Sequence, residues 1–417
     1  MFEELGWTLK RWMHRSHRVV ASLRLRGWAS TWNRITQALA RRAPESANAG
    51  STASIRTGNG PRMLVLDACA PDPSRDSGSL RMYSLLQLLG GNGWQIDFFA
   101  DDGSSDPADA RRLADIGVAF RQGDFIRWFR REAACVHTVV LSRAPIADQY
   151  LALVRKLAPH ARIVFDTVDL HFLRERRAAE LVRSASLRRR AEATFARELK
   201  LIRRSDLCLV VSEEERRMLS ELAPGSNVEL LSNIHQVHGR SAGFEARRDL
   251  LFVGGFSHPP NLDAMRWFIA DVFPRVRQAL PDVCLHIVGQ LTPQAGELRA
   301  EGVQLHGRVE ELAPFMDGCR VSIAPLRFGA GVKGKVNMAM SHGVPVVLTS
   351  IAAEGMHLVD GENALIADSA EEFAAAIVRL YGDPALWVRL SDGGLHNVAT
   401  HFSTDLARRQ VLRLFPH

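Results

Sequence analysis

The run Pro325-Leu326-Arg327-Phe328-Gly329-Ala330-Gly331-Val332-Lys333-Gly334-Lys335-Val336-Asn337 gathers residue types suited to one kind of chemistry. Glycines let a backbone turn tightly and present its N–H groups, and two lysines add positive charge, so the run suits phosphate oxygens at a helix N-terminus. Gly329, Gly331 and Gly334 fit G-x-G-x-x-G, while Gly329 to Lys335 also fits G-x-x-x-x-G-K. The second pattern needs a hydroxyl after its lysine to hold magnesium, and Val336 stands there. The first belongs to the opening βα turn of a dinucleotide-binding domain, with an acid about 20 residues further on. Neither condition is met here, so what survives of both patterns is the anion cradle.

Two other stretches carry candidate groups. In Asp72 to Arg81, Gly78 and Ser79 open a helix whose amides suit an anion, with simple capping by Ser77 and Ser79 as the structural alternative. In Phe165 to Phe172, Asp169 and His171 follow a strand, where open α/β sheets place ligands. A purely structural histidine is the alternative there. The arginine-rich stretch Arg174 to Arg204 also contains Glu175, Glu180, Glu192 and Glu198 at helical spacings, which reads as one solvated, salt-bridged helix.

These groups need elements to position them. Met63 to Asp67 reads as a buried strand, and Met82, Leu85, Leu86 and Leu89 then fall at i, i+3, i+4, i+7, the period of an amphipathic helix. Further strands are expected at Gln95 to Phe99, Thr138 to Leu141, Ile163 to Phe165, Leu207 to Val211 and Val228 to Leu231. After a polar, aperiodic break from His235 to Arg248, a second series follows: Leu250 to Val253, Cys284 to Val288, Val303 to Leu305, Val321 to Ala324, Pro345 to Leu348 and Ala364 to Ile366. Strands alternating with helical patterns imply doubly wound parallel sheets. The chain is therefore α/β, with Rossmann-like domains in tandem at 62–237 and 244–395, and a helix at 396–417 that crosses back to the first domain. Ser369 with Glu372 makes a capping box, and Asp383-Pro384 starts a further helix.

Length and composition agree. The 417 residues, 46% of them hydrophobic, suffice for two cores. The net charge is +7, and residues 1–60 carry ten Lys/Arg against three acids, so the remainder balances. A nucleic-acid-binding body is disfavoured. Five scattered cysteines without a C-x-x-C pair argue against a disulfide framework and a zinc site, and suit a reducing cytosol.

Continued by Met338 to Thr349 and by Ala353-Glu354-Gly355-Met356, the glycine-rich run resembles the donor-binding half of glycosyltransferase family 4, the retaining "glycosyl transferases group 1" of GT-B fold. Leu251 to Gly255, His286 to Gly289 and His306 to Leu312 support the resemblance, which spans about residues 63 to 400. It implies a nucleotide-diphosphate sugar in a cleft between the two domains, a glycan or lipid-linked acceptor, retention at the anomeric carbon, and no bound metal or other cofactor. Gly254 and Gly255 would let backbone amides approach the diphosphate, Gly331, Val332 and Lys333 would wrap it, and Lys335 would stabilise the departing phosphate as a catalytic group. Arg308 and Val309 match a loop that lies along the base, and Glu354 belongs to the donor set. The family's glutamate pair in the donor loop is absent, and Asn337 would hydrogen-bond a ribose hydroxyl instead. From the first domain, Gly78 and Ser79 would meet the diphosphate, and His171 with Asp169 would reach the sugar. A non-catalytic sugar-nucleotide-binding homologue, a GT-B epimerase and a P-loop ATPase are the alternatives. An epimerase needs several acid/base groups on the sugar, and these segments supply only Asp169 and His171.

Residues 43–61 have a linker composition, and residues 1–42 read as a basic amphipathic helical extension. Leu5, Leu9, Trp12, Met13, Val19, Val20 and Leu23 share one arc, with arginines opposite and four tryptophans in the first 32 residues. The reading is a cytoplasmic enzyme of surface-polysaccharide biosynthesis, peripheral on the inner face of the membrane, with residues 5–42 meeting an anionic lipid surface.

Overall fold

The computed structural model describes residues 60–416. The extension assigned to residues 1–42, and the linker up to residue 59, lie outside the described residues.

The first domain runs β1 (Arg62–Asp67), α1 (Ser77–Gly91), β2 (Gln95–Ala100), α2 (Pro107–Ala114), β3 (Ala119–Arg121), α3 (Phe125–Glu132), β4 (Thr138–Ser142), α4 (Ala144–Leu157), β5 (Arg162–Asp166), α5 (His171–Leu181), α6 (Ala185–Arg204), β6 (Leu207–Val210), α7 (Glu213–Leu222) and β7 (Val228–Leu230). Its seven strands are parallel, in the order β3-β2-β1-β4-β5-β6-β7. The second domain runs β8 (Arg248–Val253), α8 (Pro259–Trp267), α9 (Phe273–Ala279), β9 (Leu285–Val288), β10 (Val303–Gly307), α10 (Ala313–Gly318), β11 (Cys319–Ala324), α11 (Gly334–Ser341), β12 (Val346–Leu348), α12 (Ser350–Ala353), β13 (Leu365–Ile366), α13 (Ala370–Gly382) and α14 (Pro384–His401), and a last helix, α15 (Thr404–Leu414), belongs to the first domain. The second domain's sheet order is β10-β9-β8-β11-β12-β13, again parallel.

Near-continuous aliphatic strands follow from burial on both faces, since crossover helices cover each side of a parallel sheet. The expected strands fall within one or two residues of those observed. β3 was not anticipated: it is a three-residue edge strand whose half-buried Ala119, Phe120 and Arg121 give no alternation to read. The capping box at Ser369 and the Asp383 cap before Pro384 form as expected.

The stretch Arg174 to Arg204 departs from its expectation of one solvated helix. It folds as the antiparallel pair α5 and α6, turning at Arg183, whose φ is +50°, with Ser184 capping the second helix. Ala191, Thr194, Glu198, Leu199, Leu201 and Ile202 of α6 are buried. The acids are not all surface partners either. Glu198 accepts the N–H groups of His171 (3.1 Å) and Phe172 (2.9 Å), capping α5 in trans.

Residues 231–247 pass from the first sheet to the second, and the chain returns after α14. The helix α14 continues to His401, so the return lies at residues 402–403 rather than at 396. Ala407, Val411, Leu414 and Phe415 then pack into the core of the first domain. The two passages are tied where the His235 N–H donates to Phe402 O at 2.8 Å. Arg247, fully buried, anchors the outgoing segment by donating to the carbonyls of Ala242, Met316, Cys319 and His342. A buried guanidinium is tolerated because carbonyls satisfy its donors.

Candidate functional site

Strand order fixes where the candidate groups meet. In the second sheet the order reverses between β8 and β11, and open α/β sheets bind ligands in the crevice at such a switch point. Gly254 and Gly255 leave β8 there, and the glycine-rich run leaves β11 beside them and enters α11 at Gly334. A Cβ on Gly254 would stand 2.9 Å from Lys335 Nζ and 2.7 Å from Asn261 Nδ2, so only glycine leaves room for that ammonium. Lys335 Nζ donates to Asn261 Oδ1 (2.5 Å) and lies 4.2 Å from the centroid of the Phe252 ring. Burial and the neighbouring Lys333 charge push its pKa down to about 7.

Lys333 is almost wholly buried and its Nζ has no hydrogen-bond partner among the described residues; the same holds for both amide atoms of Asn337, one turn into α11. Burial lowers Lys333 to about 8, opposed by the charges of Glu354, Glu215 and Asp169. Three buried polar groups that find no partner on adjacent faces of one helix start are costly unless a ligand or solvent satisfies them. Val332 and Val309 turn their side chains into the second-domain core, so they can offer a ligand only backbone. The Val332 carbonyl already accepts from Asn233 Nδ2 at 3.3 Å.

The first domain closes against this turn. A Cβ on Gly331 would lie 3.0 Å from Asp169 Cβ, one on Gly334 would lie 2.3 Å from Ser77 Cβ and one on Gly355 would lie 2.7 Å from Ser212 Cβ, so these glycines are points of close approach between the halves. Asp169 Oδ1 lies 3.2 Å from His171 Nε2, and its other oxygen accepts from Arg174. Burial would raise this carboxyl, but Arg174 and His171 hold it well below the usual carboxylate range. Asp169 is thus an ionised group that orients the His171 ring.

Glu215, absent from the sequence expectations, completes the cluster. It accepts backbone N–H groups of Val211 (3.2 Å) and Leu170 (3.4 Å), and burial pushes its pKa up to about 7. A cavity of about 10 Å³ lined by Leu173, Ser212, Glu215, Gly331 and Glu354, among others, lies here between the halves, room for about one water.

Glu354 and Arg308 each pair with a residue of the first domain. Glu354 is gripped in a fork by Arg177 on α5, with N–O distances of 2.5 and 2.6 Å, and the same guanidinium donates to Gly329 O at 2.8 Å. Arg308, expected in a loop along the base, donates to Asp72 Oδ2 (2.8 Å) and Ser74 Oγ (2.6 Å) of the first domain. The Ser79 N–H donates to the Asp76 carboxylate at 2.8 Å, so this helix start is capped by its own acid, and Gly78 faces Arg143 and Val168. Val168, at φ +65°, is a β-branched residue in a left-handed conformation, a strained backbone at the cleft.

Sequence reasoning missed Arg177, Arg174, Glu215, Asn233 and Asn261. For the arginines a signal existed, because His171, Arg174 and Arg177 recur at three-residue steps on a helix that begins where β5 ends. Arg177→Ala removes three charge-assisted bonds across the cleft and is expected to weaken closure by about 1 to 2 kcal/mol. Small-angle scattering of the ligand-free protein should then show a larger radius of gyration. An unchanged scattering profile would show that the fork does not hold the halves together.

A family model described as "Glycosyl transferases group 1" matches residues 247–383, the domain that carries the glycine-rich run. A curated relative, an "Uncharacterized 44.6 kDa protein in cps region" of Klebsiella pneumoniae, is 34% identical over 140 residues, 31% of this chain and 36% of that protein. The match thus spans about a third of the relative's length. Among solved structures, sucrose-phosphate synthase from Thermosynechococcus elongatus aligns with a TM-score of 0.64 at 14% identity, over 85% of this chain and 98% of that one. HepE of Anabaena, in complex with UDP and glucose, aligns with a TM-score of 0.63 at 13% identity, over 85% and 99%. The fold is therefore that of the GT-B glycosyltransferases, two Rossmann-like domains in tandem.

Proposed function

We propose that this chain is a glycosyltransferase that takes a sugar from a nucleotide-diphosphate donor, with retention at the anomeric carbon and without a metal ion, and passes it to a glycan or lipid-linked acceptor of surface-polysaccharide biosynthesis. The observation that carries this reading is the pair of lysines at the start of α11, one of them with a buried, unpartnered ammonium, beside the equally unpartnered Asn337. Departure of the diphosphate builds negative charge as the sugar becomes oxocarbenium-like, and preorganised cations at a helix N-terminus stabilise that charge where it develops. Lys333 and Lys335 would take the phosphate oxygens, Asn337 a donor hydroxyl, and the amides of Gly254 and Gly255 the diphosphate backbone. Asp169 would hold His171 against the sugar. Glu354 would turn to the ribose once Arg177 releases it. The group 1 match on this domain, and the UDP and glucose bound by the Anabaena protein, support a nucleotide-sugar donor. The tight seam at Gly331 and Gly334 means that a donor enters by parting the halves, so domain opening belongs to the cycle.

A thermal-shift series with UDP, GDP, dTDP and ADP and their glucose or mannose esters tests the reading. The cognate compound, at 100 times its dissociation constant, should stabilise the protein by about 2.7 kcal/mol. Turnover of that donor, followed by NMR, should yield the same anomer and survive EDTA. An inverted product, or activity restored only by manganese, would contradict the mechanism. No stabilisation by any nucleotide would contradict the function.

A further inference from the structure

The hairpin of α5 and α6 carries a feature that donor binding does not use. Large hydrophobic side chains exposed singly are ordinary on a soluble protein. Here Leu181 (38% exposed), Val182 (61%) and Leu187 (36%) stand within seven residues, at the tip of one hairpin. The same tip presents Arg183, Arg188, Arg189 and Arg190, all exposed, and residues 181–190 include no acid. The base of the hairpin is stiff. Arg176 lies 5.0 Å from the Phe172 ring and 4.4 Å from the Phe195 ring, and these two rings meet edge to face at 5.0 Å. Thr194 is tied to Glu175 at 2.7 Å. Apolar side chains at the end of a rigid arm, ringed by cations, can enter the headgroup region of a bilayer while the arginines pair with anionic lipid.

We infer that the tip of this hairpin, Leu181 to Arg190, is a docking surface for an anionic lipid bilayer. Charge complementarity selects this occupant: Arg183, Arg188 and Arg189 form no ion pair among the described residues, while Arg190 meets Glu175 at 3.6 Å and Arg188 lies near Glu192, so the tip keeps a net positive charge that matches a sheet of negative headgroups, and the three aliphatic side chains match the acyl boundary beneath it. The same arm that docks also reaches the active centre. α5 begins at His171, beside Asp169, and holds Glu354 through Arg177, so the tip lies one helix length, about 16 Å, from the cleft. Docking would bring the cleft within reach of an acceptor whose lipid stays in the membrane. In this respect the inference rests on the proposed glycosyltransferase reading and names the setting of its acceptor.

The test is co-sedimentation of the full-length chain with vesicles of phosphatidylcholine alone and of phosphatidylcholine mixed with phosphatidylglycerol, across a salt series. Two variants are compared with the parent: Leu181→Ser/Val182→Ser/Leu187→Ser, and Arg188→Gln/Arg189→Gln. All five side chains are exposed, so the fold should be kept, and the melting temperature checks this. The parent should bind only the anionic vesicles, less so as salt rises, and each variant should lose on the order of tenfold in partition. Parent-like binding by either folded variant would overturn the inference, as would equal binding of the parent to neutral vesicles. Nucleotide-induced stabilisation, measured on the same samples, separates the two readings. If it is intact while vesicle binding is unaffected by the substitutions, docking at this tip fails and the donor assignment stands.

Discussion

Replacing Lys335 by alanine should weaken binding of the nucleotide diphosphate by about 1.5 to 3 kcal/mol, roughly 10- to 150-fold, and slow turnover with it. The ammonium sits on Asn261 and over Phe252, in a setting that brings its pKa to about 7, so in the empty site it is only partly charged at neutral pH. A diphosphate favours the charged form and raises the pKa on binding. The sign follows from that difference. Below pH 7 the lysine is already protonated and affinity is flat; above pH 7 each binding event takes up a proton, and affinity falls by up to tenfold per pH unit. Lys333, at about 8, adds a second proton above that value. Calorimetry in buffers of different ionisation enthalpy should therefore report proton uptake near pH 7.5, and Lys335→Ala should move its onset up toward pH 8. Unaltered affinity and an unaltered pH profile in the folded variant would place the diphosphate elsewhere.

The second large effect concerns stability. Arg81 and Asp166 form an ion pair at 2.8 Å with side chains 1% and 0% exposed, and Arg81 also donates to Leu231 O (2.9 Å) and Ser232 O (3.2 Å) at the start of the passage between domains. Asp166 Oδ1 has no partner among the described residues, so Arg81 is the cation that this carboxylate faces. Arg81→Met should destabilise the chain by about 3 to 5 kcal/mol, because it leaves a buried carboxylate unpaired. Arg81→Met/Asp166→Leu should recover much of the loss, since removing both charges removes the desolvation penalty as well. Thermal unfolding followed by circular dichroism gives both values. A loss under 1 kcal/mol in the single variant would mean that solvent reaches Asp166.

The α/β class, the break between two domains and nearly every strand were legible in the sequence. Val139-Val140-Leu141 and Leu250 to Val253 are buried on both faces of a parallel sheet, and such strands write themselves as unbroken aliphatic runs. The glycine-rich turn into α11 was legible for a similar reason. Gly329 to Asn337 is one continuous segment, and its glycines, lysines and following helix all act within a few residues of one another. Local chemistry of this kind needs no knowledge of what else is nearby.

The fork of Arg177 on Glu354 was not legible, because 177 residues separate the partners and no periodicity links them. Nor were the cap that Glu198 places on α5, the capture of the Ser79 amide by Asp76 or the pairing of Arg308 with Asp72. An arginine in a charged stretch looks solvated until a neighbouring helix buries it, and the same sequence would serve either role. The states of Lys333, Lys335 and Glu215 are likewise set by desolvation and by charges from both domains. Local periodicity determines which segments become strands and helices. Which of their ends face one another, and with what charge, depends on strand order and on closure of the two sheets, so only the tertiary structure could decide it.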